Sequence, residues 1–179
     1  MPTIFSHALF AAATGKSFFH QPVSVWFWLL IAGCAMVPDA DVISYSFGVE
    51  RGTMFSHRGL THSISFALLF GALIAFLAVR VFKIKAAFGT LFICFALAAF
   101  SHPLLDMLTN GGSGVALLAP FSDERFAFPF RPIEVSPIGF GFFSSRGLVV
   151  IVSEFIWLWL PSLALLLIVT IIGKFRQRN

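Results

Sequence analysis

The densest chemistry in the chain lies in Ser101-His102-Pro103-Leu104-Leu105-Asp106-Met107-Leu108-Thr109. His102 and Asp106 stand four positions apart at the end of a long apolar run, and on a helix that spacing puts both side chains on one face. An imidazole nitrogen and a carboxylate oxygen so placed are half of a divalent-metal site. Such a pair at a solvated helix end does no more than hydrogen-bond to itself, so its significance rests on what else reaches it. Pro38-Asp39-Ala40-Asp41 closes another apolar run and offers hard oxygen ligands. In His57-Arg58-Gly59-Leu60-Thr61-His62-Ser63 the two histidines are not on one helical face, but a turn through Gly59 directs both inward, with Thr61 or Ser63 capping the next helix. Arg58 between them offers a fixed cation suited to a phosphate or a developing oxyanion, or else to pairing with Asp39, Asp41 or Glu50. Glu154 lies inside a further apolar run, where an ionisable group marks a functional site or a salt bridge to a nearby arginine.

The elements that must position these residues are membrane helices. The chain has 179 residues, 58% of them hydrophobic, 24 of them phenylalanine and only 11% charged. Its mean hydropathy of +0.92 leaves too little polar surface for a water-soluble globule. The net charge of +4 sits in short flanking clusters and not in a stripe interleaved with aromatics, which argues against nucleic acid as a partner. Cys34 and Cys94 fall in apolar runs and read as buried small hydrophobes. No cleavable signal peptide is evident, because His7 interrupts the first apolar stretch.

The expected architecture is all-α, a polytopic helical bundle of about four transmembrane helices in a single domain covering 1–179. A short helix over 3–14 precedes them as a half-depth element, and the spans cover 23–37 with continuation to 43, 60–82, 86–108 and 148–173. Residues 110–147, rich in Phe, Pro, Gly and Arg, form an irregular outer loop. If Lys83, Lys85 and the terminal Lys174, Arg176 and Arg178 face the cytoplasm, Lys16 does too, and all eight carboxylates fall at or beyond the outer ends of the spans. On that topology Asp39, Asp41, His57, His62, His102, Asp106 and Glu154 meet at one level. His7 joins them if its helix folds back, while His20 stays interfacial on the inner side.

Five or more N and O ligands from several helices suit one or two divalent ions such as zinc or manganese. Such a site makes water nucleophilic near neutral pH, and a carboxylate not occupied by metal serves as general base. There is no Gly-x-Ser-x-Gly elbow, Walker A loop or Gly-x-Gly-x-x-Gly, so a serine hydrolase, an NTPase or a dinucleotide enzyme lacks its main signature.

The order Ser6-His7, Pro38-Asp39-x-Asp41, His57-Arg58-Gly59-x-Thr61-His62-Ser63, Ser101-His102-x-x-x-Asp106-x-x-Thr109 and Arg125-Phe126-x-x-Pro129 resembles the bacterial inner-membrane metal-dependent hydrolases called YdjM-like. The resemblance extends from about Ser6 to Glu154. That family is distantly similar to the zinc-dependent phospholipase C and P1 nuclease group. The similarity implies phosphoester substrates, water activated by metal, and ligand roles for His7, Asp39 or Asp41, His62, His102 and Asp106. The late His-x-x-x-Glu pair of that group is missing, since Val150 stands four before Glu154, and this implies one or two metals and not three.

The expected protein is thus a membrane-embedded hydrolase at the outer face of the bacterial cytoplasmic membrane, acting on a lipid or lipid-linked phosphoester, with zinc as the first expectation for the metal and an oligomer compatible with its few helices. Metal ligands are His7, Asp39, His57, His62, His102 and Asp106; Asp41, Glu154 and Arg58 are catalytic. Arg125 and Arg131, with Arg146, bind substrate from a phenylalanine-rich loop at headgroup level, or that loop simply anchors at the interface. The competing class is a divalent-metal transporter or membrane sensor, against which the second and third spans offer only Ser65, Thr90 and Cys94 below the cluster.

Overall fold

The computed structural model describes residues 1–19, 23–137 and 139–176. His20, Gln177 and Arg178 lie outside the described residues. Helix α1 (Ile4–Lys16) is followed by α2 (Val25–Met36), which runs directly into a 3-10 helix over Val37–Phe47. Then come α3 (Ile64–Arg80), α4 (Phe88–Met107), α5 (Ser145–Glu154), a π-helical turn over Phe155–Trp159, and α6 (Leu160–Arg176). Among the described residues there is no strand; the loop between α4 and α5 carries isolated bridges from Thr109 to Ile133 and from Val115 to Phe126.

Among the described residues three helices are long and apolar enough to cross a membrane, Val25–Phe47, Phe88–Met107 and Ser145–Phe175, where the sequence pattern suggests four. The expected span over 60–82 is shortened at both ends. Leu60–His62 forms a separate 3-10 turn, Ser63 then caps α3 by accepting from the Phe66 amide at 3.0 Å, and the helix stops at Arg80 after 17 residues. At 1.5 Å per residue that helix is about 25 Å long, short of the roughly 30 Å hydrocarbon layer.

Helix packing uses small residues. Ala67, Gly71, Ala75 and Ala78 are buried along one face of α3, and a Cβ built on Gly71 comes within 2.6 Å of the Ala96 backbone of α4. Close backbone approach is how helices associate where lipid removes the hydrophobic incentive. Phe27, Ile31, Leu91 and Phe95 fill the space between α2 and α4.

Helix direction alternates, so α2 and α4 end, and α1 and α3 begin, at one end of the bundle. Thr3, just before α1, and Ser6 within it bond to Glu154, and Trp159 bonds to Ser6, so the last helix runs alongside α1 from that same end. Lys16, the Lys83–Lys85 turn and Lys174 consequently gather at the opposite end. Phe121, Phe130, Phe140 and Phe143 project into the surroundings from the loop beside the polar end.

Candidate metal centre

Three elements deliver the four central residues. Asp39 is carried at the start of the 3-10 helix, where Pro38 at the first turn turns the chain out of α2. His62 closes the short turn before α3, and His102 and Asp106 share a face of the last turns of α4. One ligand atom from each of Asp39, His62, His102 and Asp106 lies within 4.8 Å of the others, and all four residues are buried. His102 Nε2 is 3.1 Å from His62 Nε2 and 3.2 Å from Asp39 Oδ1, and His62 Nε2 is 3.6 Å from Asp106 Oδ2.

The outer partners determine which nitrogens face inward. His102 Nδ1–H donates to the Ala35 carbonyl at 2.6 Å, and His62 Nδ1 lies 3.2 Å from Asp41 Oδ2. Both Nδ1 atoms face acceptors, so both Nε2 atoms turn lone pairs toward each other and toward carboxylates. Acceptors crowded together without a donor repel one another unless a cation sits among them. Asp39 Oδ2, Asp106 Oδ1 and both nitrogens of His7 are buried with no hydrogen-bond partner among the described residues. His7 lies at the edge of the group, its ring stacked on His102 with centroids 3.7 Å apart and its Nε2 3.7 Å from Asp106 Oδ1.

Charge points the same way. Asp39, Asp41 and Asp106 bring three carboxylates to the group and Arg58, bonded to Asp106, brings one guanidinium, so with neutral imidazoles these four residues carry two negative charges in excess. Uncompensated charge inside a protein is costly. The donor set, the orphaned atoms and the charge all fit a divalent ion held by Asp39, His62, His102 and Asp106, with His7 alongside.

Without an ion, protons take part of its place. His62 is fully buried, which by itself would lower its pKa, yet its bonds to Asp39 and Asp41 overcome burial and push it up to about 9. His7 goes the other way, to about 4, through burial and the neighbouring His102.

Asp41 is the hub of the second grouping, Asp41, His57 and His62. Its oxygens accept from His57 Nδ1 at 2.7 Å, the Thr61 hydroxyl at 2.6 Å and the Arg58 amide at 3.2 Å, besides facing His62. Arg58 adopts a left-handed backbone with φ of 66° and turns its guanidinium into the protein. There it donates to Asp106 Oδ2 at 2.9 Å, the Gly111 carbonyl at 2.8 Å and Thr109 Oγ1 at 2.8 Å. Its acidic side-chain partner is thus Asp106, which neither spacing nor proximity in sequence suggested.

The remaining residues singled out by sequence lie outside the cluster. Glu154 is buried where α5 ends and accepts from the Thr3 amide at 2.6 Å, Thr3 Oγ1 at 2.5 Å and Ser6 Oγ at 2.5 Å. It belongs to neither metal-ligand grouping and supplies from another helix the cap that α1 lacks locally. Arg125 donates to the Thr53 carbonyl at 3.1 Å and the Gly114 carbonyl at 3.3 Å, pinning two loops together. Arg146 pairs with Glu134 at 2.5 Å, and Arg131 is exposed.

A cavity of about 550 Å³ opens beside the cluster, with His57, Arg58, Tyr45, Arg51, Gly112 and Val135 in its wall. Arg51 went unselected in sequence because no motif encloses it; only its place in this wall distinguishes it.

Comparison with known proteins agrees with this picture of a membrane protein. No solved structure matches the chain. The Escherichia coli (strain K12) protein named Inner membrane protein YbcI is 41% identical over 169 residues, covering 93% of this chain and 95% of that one. The family model described as YdjM inner membrane protein matches residues 1–179, and with a match over that whole length the chain belongs to the YdjM inner membrane protein family.

Proposed function

We propose that the protein is a metal-dependent hydrolase embedded in the cytoplasmic membrane, cleaving a phosphoester on a lipid or lipid-linked substrate. The observation that carries this reading is the convergence of Asp39, His62, His102 and Asp106, with orphaned oxygens and two excess negative charges, directly beside a cavity of substrate size. A divalent ion bound there, zinc being the first candidate, supplies the Lewis acidity that makes water nucleophilic near neutral pH.

The chain's own residues divide the remaining work. His102 and His62 present Nε2 because Ala35 and Asp41 hold their Nδ1 atoms. Asp41, already accepting from His57, Thr61 and Arg58, acts by orienting them, which leaves His57 to move protons. With Nδ1 bound to Asp41, His57 has Nε2 available toward the cavity wall for general acid–base transfer. Arg58 holds Asp106 in place as a ligand and anchors the loop at Gly111. Glu154 positions His7 through Thr3 and Ser6. The four lysines at the end of the bundle opposite the cluster support an orientation with the site on the periplasmic side.

The test is elemental analysis of detergent-purified protein beside His102→Ala, with phosphodiester and phosphomonoester hydrolysis measured on the same samples. The expected result is near-stoichiometric metal and hydrolysis, both lost in the variant. Absence of bound metal after reconstitution sinks the proposal, and metal without turnover on any phosphoester moves the protein to metal sensing or transport.

A further inference from the structure

The cavity beside the cluster has two guanidiniums in its wall, Arg58 paired behind the wall with Asp106 and Arg51 without an ion-pair partner among the described residues. Arg51 and Arg58 both contribute to its wall, and no Asp or Glu does. Arg58 is itself buried, 5% exposed, and its guanidinium is held rigid by Asp106, Gly111 and Thr109. Arg51 forms no ion pair among the described residues and lies over the Tyr45 ring, with its guanidinium carbon 5.6 Å from the centroid. That stacking stiffens a long side chain without using its donors.

A second, independent feature faces the same space. The loop at Gly111, Gly112 and Ser113 lines the cavity, and the backbone amides of these three residues find no acceptor among the described residues. Gly112 has φ of +86°, and a Cβ built on it would meet Arg58 Nη1 at 2.5 Å, so only glycine lets this loop lie against the guanidinium. Successive amides without a protein acceptor, next to two guanidiniums, offer donors to an anion that enters this cavity. Tyr45 and Val135 supply apolar wall on which an attached hydrocarbon portion can rest.

We propose that this cavity is a phosphate-binding subsite in which Arg51, the inner face of Arg58 and the amides of Gly111, Gly112 and Ser113 hold the phosphate group of the substrate next to His57. The proposal rests on the hydrolase reading for its substrate, but the anion site itself needs only the cavity. It assigns phosphate recognition to Arg51, while Arg125 is committed to loop carbonyls.

The experiment measures binding of inorganic phosphate and of dihexanoyl phosphatidic acid to detergent-purified protein by titration calorimetry, metal-free and zinc-loaded. Wild type is compared with Arg51→Ala, Arg51→Lys and, as a control at the far end of α3, Arg80→Ala. Loss of one charge-assisted guanidinium contact is expected to weaken phosphate binding by about tenfold or more in Arg51→Ala. Arg51→Lys recovers part of it, Arg80→Ala binds like wild type, and metal content and the unfolding midpoint stay unchanged throughout. Tighter binding of the phosphatidic acid assigns a lipid headgroup, and tighter binding of inorganic phosphate assigns a soluble phosphate; either supports the subsite. Equal affinity of Arg51→Ala and wild type, or no binding of either probe by wild type, overturns it. Phosphate binding by a protein that neither holds metal nor hydrolyses anything would keep the subsite and remove the hydrolase, whereas hydrolysis unaffected by Arg51→Ala would do the reverse.

Discussion

Glu154 at the foot of α5 and the pair Asp39 and Asp106 at the cluster are all buried carboxylates in an apolar bundle, and they are satisfied in opposite ways. Glu154 receives three donors from the first turn of α1, enough to compensate its charge. Asp39 and Asp106 each keep an oxygen with no partner, among imidazole nitrogens that are themselves acceptors. Burial alone therefore does not mark a site; a deficit of donors around buried acceptors does. A carboxylate with its donors in place holds helices together, and a cluster short of donors offers ligand atoms to a cation.

The sharpest way to break the contrast is at the ligands. His102→Ala is expected to lower metal affinity by more than about 100-fold, beyond what loss of an outer partner costs, as read by elemental analysis after dialysis. Asp106→Ala should do the same and in addition destabilise the fold by about 3–5 kcal/mol, because it strands the buried guanidinium of Arg58. Denaturant unfolding in detergent separates the two variants, and equal stabilities would show that Arg58 has another compensating partner.

Asp41 sits between the two extremes, saturated like Glu154 but in contact with the cluster. Asp41→Asn keeps the shape and removes the charge that orients His57 and His62, so metal affinity should fall by about 10–100-fold with the fold intact. A competition titration against a chelator measures it. A loss as large as that of His102→Ala would make Asp41 a ligand.

The third comparison is with protons in place of metal. His62, with its pKa raised to about 9, adds stability that is complete below its unfolded value near 6.5 and is lost as pH rises through 9. His7, lowered to about 4, acts in the opposite sense: the unfolded state takes up a proton first as pH falls below 6.5, so stability declines from there toward pH 4. On these two groups, metal-free protein is most stable near pH 6.5, by up to a few kcal/mol over either extreme. Metal binding near neutral pH should release about one proton from His62, measurable by calorimetry in buffers of different ionisation enthalpy. A release of zero would mean that His62 is neutral before the metal arrives.

The smallest effect is expected at Glu154. Glu154→Gln weakens its bonds to Thr3 and Ser6 and should cost about 1–3 kcal/mol of stability while metal stoichiometry stays at the wild-type value. Loss of metal in this variant would show that the placement of His7 by α1 is indispensable to the site.

Much of this was legible from residue types and spacing, because those signals are local. The one-face placement of His102 and Asp106 follows from helical periodicity, the Ser63 cap from a hydroxyl before an apolar run, and the membrane helices from composition. The short α3 was hidden because hydropathy runs through Leu60–His62 without a break, while the 3-10 turn there is dictated by Gly59, whose Cβ would collide with the Met54 carbonyl. The packing stripe of Ala67, Gly71, Ala75 and Ala78 emerges only in the structure, because small residues name no partner until α4 lies against them.

Residue types and their order along the chain set which groups had to be dealt with: three aspartates, a glutamate, four histidines and Arg58, at one end of apolar segments. Tertiary structure alone decided which of them would be satisfied. Whether a carboxylate finds donors depends on groups far away in the chain, Thr3 for Glu154 across 151 positions and Arg58 for Asp106 across 48. Hydrogen bonding and charge compensation act through a few ångströms of space, and separation along the chain has no bearing on them.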